Sequence, residues 1–202
     1  NYSYILEEVI TNQSLGVIFK PKHGKNLRNR LGKVNKLLQR AERTGRCLVL
    51  EEISRHTTAY SPIIAALSSD LCIHGHLCAG SAGLEAALSG IPTILIDREG
   101  LPDSKLHQLP KDKVVFSDWP STIEGIKIFF SDRNKSTGIG DWSDLIVDLD
   151  PFRDGKGAKR MGSFLNDLRI NFDQGMEREQ SMELAIKTYK NDWGSDKIIE
   201  NS

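Results

Sequence analysis

The residue types that could do chemistry gather in one stretch, Ser68 to Asp97, reading S-S-D-L-C-I-H-G-H-L-C-A-G-S-A-G-L-E-A-A-L-S-G-I-P-T-I-L-I-D. The apolar run Asp70 to Ile73 reads as a strand that ends in the loop His74-Gly75-His76. Gly80-Ser81-Ala82-Gly83 then opens a helix. A helix start presents unpaired N–H groups and about half a unit of positive charge, which suits phosphate. Small residues let that backbone come close, and Ser81 adds a hydroxyl donor. Glu85, in the first turns of the helix, can accept hydrogen bonds from vicinal hydroxyls, as acidic residues do for ribose. The stretch therefore has the parts of a site for the diphosphate and ribose of a nucleotide. A plainer reading is available: small residues at a strand–helix turn permit close packing, and Glu85 stabilises its own helix. Neither GxxxxGK[ST] nor G-x-G-x-x-G is present. Cys72, His74, His76 and Cys78 bring metal-ligating types together, but their spacing matches no structural zinc pattern, and no metal is expected.

The elements that must position these residues follow from periodicity. A helix over Tyr4 to Ile10 leads into a buried strand, Leu15 to Phe19, which stops at Lys20-Pro21-Lys22-His23-Gly24 because proline cannot donate to a ladder. Loops at the carboxyl ends of strands form the ligand-facing edge of an open α/β sheet. Lys20, Lys22 and His23 can face an anion there, or form an ordinary basic turn. Leu27 to Thr44 has helical spacing, and Cys47 to Leu50 is the next strand, ending at Glu51-Glu52-Ile53-Ser54. Thr57 to Ser68 reads as a helix with Pro62 in its first turn. Pro92 to Ile96 is a buried strand with Arg98 and Glu99 in the loop beyond it. Val114 to Phe116 is another strand, and Asp118 caps a helix over Ser121 to Phe130. Asp132 to Gly140 reads as a flexible surface loop. Two helices close the chain, Lys156 to Phe172 with a stripe of Met161, Phe164, Leu165 and Leu168, and Glu177 to Trp193 with Met182, Ala185, Ile186 and Tyr189.

Alternating strands and helices predict an α/β fold: a Rossmann-like open parallel sheet of about five or six strands, helices on both faces, and two C-terminal helices. Residues 1–150 are expected to form the nucleotide-binding domain, with 151–202 packing on it. Of the 202 residues, Lys and Arg number 27 and so do Asp and Glu, which argues against nucleic acid as the main partner. No apolar run reaches the ~20 residues needed to span a bilayer, and no signal-peptide pattern opens the chain. The 3 cysteines, at buried-looking positions, suggest free thiols in a reducing, cytoplasmic compartment. The chain starts without Met and with a helix, so it reads as the C-terminal part of a longer protein.

D-L-C-I-H-G with G-S-A-G-L-E-A-A-L-S-G-I-P-T-I-L-I-D resembles the donor-binding half of GT-B glycosyltransferases, in which a small-residue loop leads to a helix carrying Glu-Ala and a Gly-x-Pro opens the next strand. Lys20-Pro21-Lys22-His23-Gly24 is similar to the basic KPHP-like turn of capsule and sialic-acid-type transferases, with Lys22 inserted and no second proline. Asp150-Pro151-Phe152-Arg153-Asp154-Gly155 and the helices after it resemble the tail of bacterial surface-polysaccharide transferases. The likeness spans about residues 15 to 175. It implies a nucleotide-sugar donor as substrate, without a separate cofactor, and transfer to a glycan or lipid-linked acceptor held by an N-terminal domain, in the cytoplasm or at the inner face of the membrane. It implies that Gly80, Ser81, Ala82 and Gly83 hold the diphosphate, Glu85 the ribose, and Glu52 and Ile53 the base. Lys20, Lys22, His76 and Arg98 would serve the sugar and phosphates, and Arg98 and Glu99 would approach the donor sugar or acceptor. Sugar-nucleotide 2-epimerases share the fold and a similar Glu, and for that chemistry His23, His74, His76 and Glu99 are the acid/base candidates. A non-catalytic binding module is the third expectation.

Overall fold

A computed structural model describes residues 2–21, 24–50, 61–77, 81–100, 104–132 and 136–195. Lys22, His23, Glu52, Ile53, Cys78 and Gly80 lie outside the described residues. Two compact units divide the chain, Asn1–Ile146 and Val147–Ser202.

The first unit is α/β. Its helices are α1 (Tyr2–Thr11), α2 (Gly24–Leu31), α3 (Asn35–Arg43), α4 (Pro62–Leu67), α5 (Ser81–Leu88) and α6 (Trp119–Ser131), and α7 (Ser143–Leu149) runs across the division. Its strands are β1 (Val17–Phe19), β2 (Cys47–Val49), β3 (Cys72–His74), β4 (Thr93–Ile96) and β5 (Val115–Phe116). All pairings are parallel, but they form two sheets, β1-β2 and β3-β4-β5, where one sheet of five or six strands was expected. The strands are two to four residues long, so each offers few ladder groups. No ladder joins β1 to β3 among the described residues; side chains do so instead. Val17 and Phe19 share one apolar cluster with Ile73, Ile94 and Phe116.

β4 is the centre of this unit. Thr93, Ile94, Leu95 and Ile96 are all fully buried, as expected for a strand covered on both faces. Alternation sends Ile94 into the cluster with Ile5, Ile123, Ile126 and Phe129, and Leu95 into the opposite cluster with Leu77, Ala87, Val114, Trp142 and Leu145. A third cluster, Leu6, Val9, Leu38, Ala41 and Cys47, joins α1 and α3 to β2. The expected helix over Leu27 to Thr44 is interrupted by a tight turn at Gly32–Val34, where Gly32 takes a φ of 52° that a side chain would resist. Pro62 does open α4, and Asp118 does cap α6, accepting from the Ser121 N–H at 2.8 Å.

The end of the expected surface loop, Asp132 to Gly140, is instead built into the core. Gly140 accepts from the Thr93 N–H and donates to the Lys113 carbonyl, both at 2.9 Å. Trp142, 2% exposed, donates its indole N–H to the Thr93 carbonyl at 2.8 Å. A polar, glycine-rich composition predicts exposure, and the buried indole two residues later overrides it.

The second unit is a helical hairpin of α8 (Gly157–Asp173) and α9 (Arg178–Trp193). Its buried positions match the expected apolar stripes in part. Ala185 is buried, Phe164, Leu168 and Tyr189 are half-buried, and the Phe164 and Tyr189 rings meet edge-on with centroids 6.1 Å apart. Arg160 and Asn171 on α8 and Ser181 on α9 are buried as well, while Met161, Leu165, Met182 and Ile186 are exposed. Arg160 is the buried charge of α8. Its guanidinium makes two 2.9 Å bonds to Asp154 and lies 3.7 Å from the centre of the Phe152 ring and 5.5 Å from that of Trp193. The Asp150-to-Gly155 turn is thereby fastened to the start of α8, and Asn171 Nδ2 donates to the Ser181 carbonyl at 3.2 Å farther along.

Two expected outcomes follow from these contacts. A Cβ on Gly140 would lie 2.6 Å from the Thr93 nitrogen at a φ of 73°, whereas Gly138, at a φ of 69°, has open space around it. Gly138→Ala should cost about 1 kcal/mol and Gly140→Ala at least ~2 kcal/mol in chemical denaturation. Equal losses would show that Gly140 is not wedged against β4. In the second unit, the Arg160 guanidinium and the Lys156 N–H hold the Asp154 carboxyl down to about 2. A carboxyl depressed on folding stabilises above its unfolded pKa and loses that contribution as pH falls through its folded one. The Trp193 indole resonance should therefore move with a midpoint near pH 2, and Asp154→Asn should abolish that movement.

Candidate functional site

The carboxyl ends of β3 and β4 carry the reactive side chains of the first unit. β3 ends at His74 and its loop continues through His76 and the buried Leu77; β4 ends at Ile96 and its loop carries Asp97, Arg98 and Glu99. Register pairs His74 with Leu95, so the two loops leave from neighbouring strands. A short contact joins them: His76 Nδ1 and Glu99 Oε1 are 2.6 Å apart. The His76 side chain is 54% exposed and that of Glu99 33%. An ionised carboxylate only accepts, so in this contact Nδ1 carries the proton. The His74 ring meets that of His76 edge-on, with centroids 6.4 Å apart.

A second histidine–carboxylate pair lies beside the first, and sequence reading did not single it out. His107 Nε2 is 3.8 Å from Asp97 Oδ2, and Asp97 Oδ1 accepts from the Gly100 N–H at 2.9 Å. This second bond closes the loop after β4 into a turn. His107 stands in a helical turn, Lys105–Gln108, capped by Ser104. No spacing pattern ties it to Asp97 in the sequence, and only the fold brings them together.

α5 starts at Ser81, which is exposed, with Ala82 half-buried behind it. Gly83 faces the sheet. A Cβ there would lie 3.0 Å from Leu95 Cδ2, 3.3 Å from His74 Cβ and 3.6 Å from Thr93 Cγ2. Helix–sheet contact thus accounts for this glycine by itself. Glu85 is the fifth residue of α5, one turn past its start rather than within the first turn, so the dipole contributes little to holding it. Its carboxylate is half-buried and accepts a long 3.4 Å bond from Ser61 Oγ, the N-cap of α4. Glu85 therefore stands between the starts of α4 and α5 with acceptor capacity to spare.

Lys20, past the end of β1, turns its ammonium back onto the Pro21 carbonyl at 3.1 Å. Arg98 is exposed in the β4 loop. Cys47 and Cys72 are free thiols; burial pushes Cys47 up to about 11 and also raises Cys72, so neither is a ready thiolate. Among the described residues no group of three or more His, Cys, Asp or Glu is arranged to hold a metal ion, and no helix is long and apolar enough to cross a membrane.

A concavity of about 390 Å³ lies elsewhere, lined by Asn12, Leu15, Ile123 and Phe130 among others. Its charged rim residues, Glu8 and Lys127, already pair at 3.0 Å, and it contains no histidine. The reactive side chains are on the β3–β4 edge, so we place the candidate site there.

If Gly83 is held by packing, Gly83→Val should destabilise the fold by roughly 1–3 kcal/mol in thermal or chemical denaturation. Unchanged stability would remove the packing account and leave close approach to a ligand as the reason for the glycine.

Comparison of the chain with protein-family models, with curated proteins and with solved structures finds no match.

Proposed function

We propose that this chain is the nucleotide-sugar-binding part of a GT-B-type glycosyltransferase, acting in the cytoplasm on a glycan or lipid-linked acceptor of surface-polysaccharide type. One observation carries this reading. α5 packs on β3 and β4 through Gly83, which faces His74, Thr93 and Leu95, and carries Ser81 at its start and Glu85 one turn along. A diphosphate at the helix start puts the ribose along the helix side, within reach of Glu85, and the sugar toward His76, Arg98 and Glu99. Glu85's weak 3.4 Å tie to Ser61 leaves its carboxylate available for two hydroxyls. Gly80 and the base-contacting Glu52 and Ile53 belong to the same proposal.

A second reading keeps the nucleotide sugar and changes the reaction to 2-epimerisation. The His76–Glu99 pair favours it, because it supplies a proton acceptor beside the sugar position. Incubation with UDP-N-acetylglucosamine and no acceptor separates the two: a 2-epimer supports the second reading.

Calorimetry with UDP, GDP, CDP and CMP tests the shared premise. One nucleotide should bind the wild-type chain, and Glu85→Ala should weaken it about 10-fold or more, the loss expected for a charged acceptor of two hydroxyl bonds. No binding of any nucleotide would contradict both readings and leave a non-catalytic α/β module.

A further inference from the structure

We propose that the α8–α9 hairpin is a self-association surface, through which two copies of the chain pair by stacking their hairpins face to face into a four-helix bundle.

The hairpin carries a second set of apolar residues beside those it packs inward. Met161, Leu165, Leu168 and Phe172 on α8, and Met182, Ile186 and Tyr189 on α9, recur at alternating steps of four and three, the spacing of a seam that meets another helix. Met161 is 66% exposed and Leu165 56%, and Phe172, Met182 and Ile186 are exposed as well. Each of these five directly follows a residue that is buried or touches the neighbouring helix: Met161 follows Arg160, Leu165 follows Phe164, Phe172 follows Asn171, Met182 follows Ser181 and Ile186 follows Ala185. One step along a helix turns it by about 100°. The two helices run antiparallel, since Phe164 meets Tyr189 and Asn171 bonds to Ser181. Equal turns on antiparallel neighbours point to the same side, so the two seams make one face. The same two contacts set the middles of the seams level, with Leu165 and Leu168 beside Ile186.

Three arguments make the occupant a second copy. Among the described residues, the buried positions of the two helices are Arg160, Asn171, Ser181 and Ala185, so the hairpin has little apolar core of its own and gains one from a further layer. The area suffices: the 17-residue α8 is about 25 Å long and two helices side by side span roughly 20 Å, so one face offers about 500 Å² and two copies bury about 1,000 Å², the size at which specific interfaces begin. The charges also match. Helical spacing puts Glu179 and Glu183 on the outer side of the α9 seam in its first half, and Lys187 and Lys190 there in its second half. A two-fold axis through the middle of the face lays α9 antiparallel on its copy, so acidic half meets basic half. The same axis sets Met161 opposite Phe172 and Leu165 opposite Leu168 of the second copy.

Sedimentation equilibrium of the full chain over a range of concentrations tests the pairing. The mass should rise from 22.6 kDa toward twice that value in the high micromolar range. Leu165→Glu should keep wild-type helicity, because the side chain is exposed, and should weaken pairing about 100-fold or more, since the axis makes each change count twice. Glu179→Lys should weaken it about 10-fold, and Lys190→Glu added to it should restore pairing, which a mere loss of helix stability would not do. Leu48→Glu, at a similarly exposed leucine of β2, should leave the mass unchanged. A chain that stays at 22.6 kDa at every concentration would overturn the proposal, as would a dimer that survives Leu165→Glu or one that Leu48→Glu dissolves. Failure of the charge reversal to restore pairing would overturn the antiparallel arrangement of α9.

Discussion

The fold of the first unit depends on the complete burial of β4. Four consecutive residues, Thr93 to Ile96, are out of water on both faces, so every backbone group along them needs a partner. β3 supplies partners on one side and β5 on the other. At the amino end, where the ladders run out, the chain returns from beyond α6. Gly140 and the Trp142 indole then take up the Thr93 N–H and carbonyl. An unpaired buried amide costs about 1–3 kcal/mol, which explains why a glycine-rich segment is drawn into the core.

The carboxyl end of β4 differs from its amino end. Among the described residues, the loops after β3 and β4 carry histidines and carboxylates beside the buried Leu77. The contacts there are polar: His76 with Glu99, His107 with Asp97, and Asp97 with the Gly100 N–H. They tie the described parts of the two loops to one another and to Lys105–Gln108. Stability is concentrated at one edge and reactive groups at the other, the usual division in open parallel sheets.

How much of this was legible in the sequence depends on the range of the interaction. Local signals were readable: Pro62 opening α4, Asp118 capping α6, and the β4 run between Pro92 and Asp97. The histidines and Glu99 were visible as residue types at strand ends, but their pairing was not, since His76 and Glu99 are 23 positions apart. His107 was missed because nothing near it marks a site. Trp142 was missed because its polar neighbours suggest a surface loop, and its partner, the Thr93 carbonyl, is 49 positions away. In the second unit, periodicity located Phe164, Leu168, Ala185 and Tyr189 but not Arg160, for a different reason. The Arg160 guanidinium, satisfied by Asp154 and stacked on Phe152, is more favourably buried than Met161 or Leu165 beside it. Hydrophobicity alone cannot rank a paired, stacked arginine above a methionine.

The proposed function requires a nucleotide to bind at the carboxyl edge of β3 and β4. Backbone amide spectra of the ¹⁵N-labelled chain, recorded while a nucleoside diphosphate is added, decide whether it does. Saturable shifts confined to His74 to Leu77, the first two turns of α5, and Asp97 to Gly100 are expected. Shifts confined to Glu8, Leu15, Lys127 and Phe130 around the concavity there, or no saturable shift at all, would rule out binding at this edge.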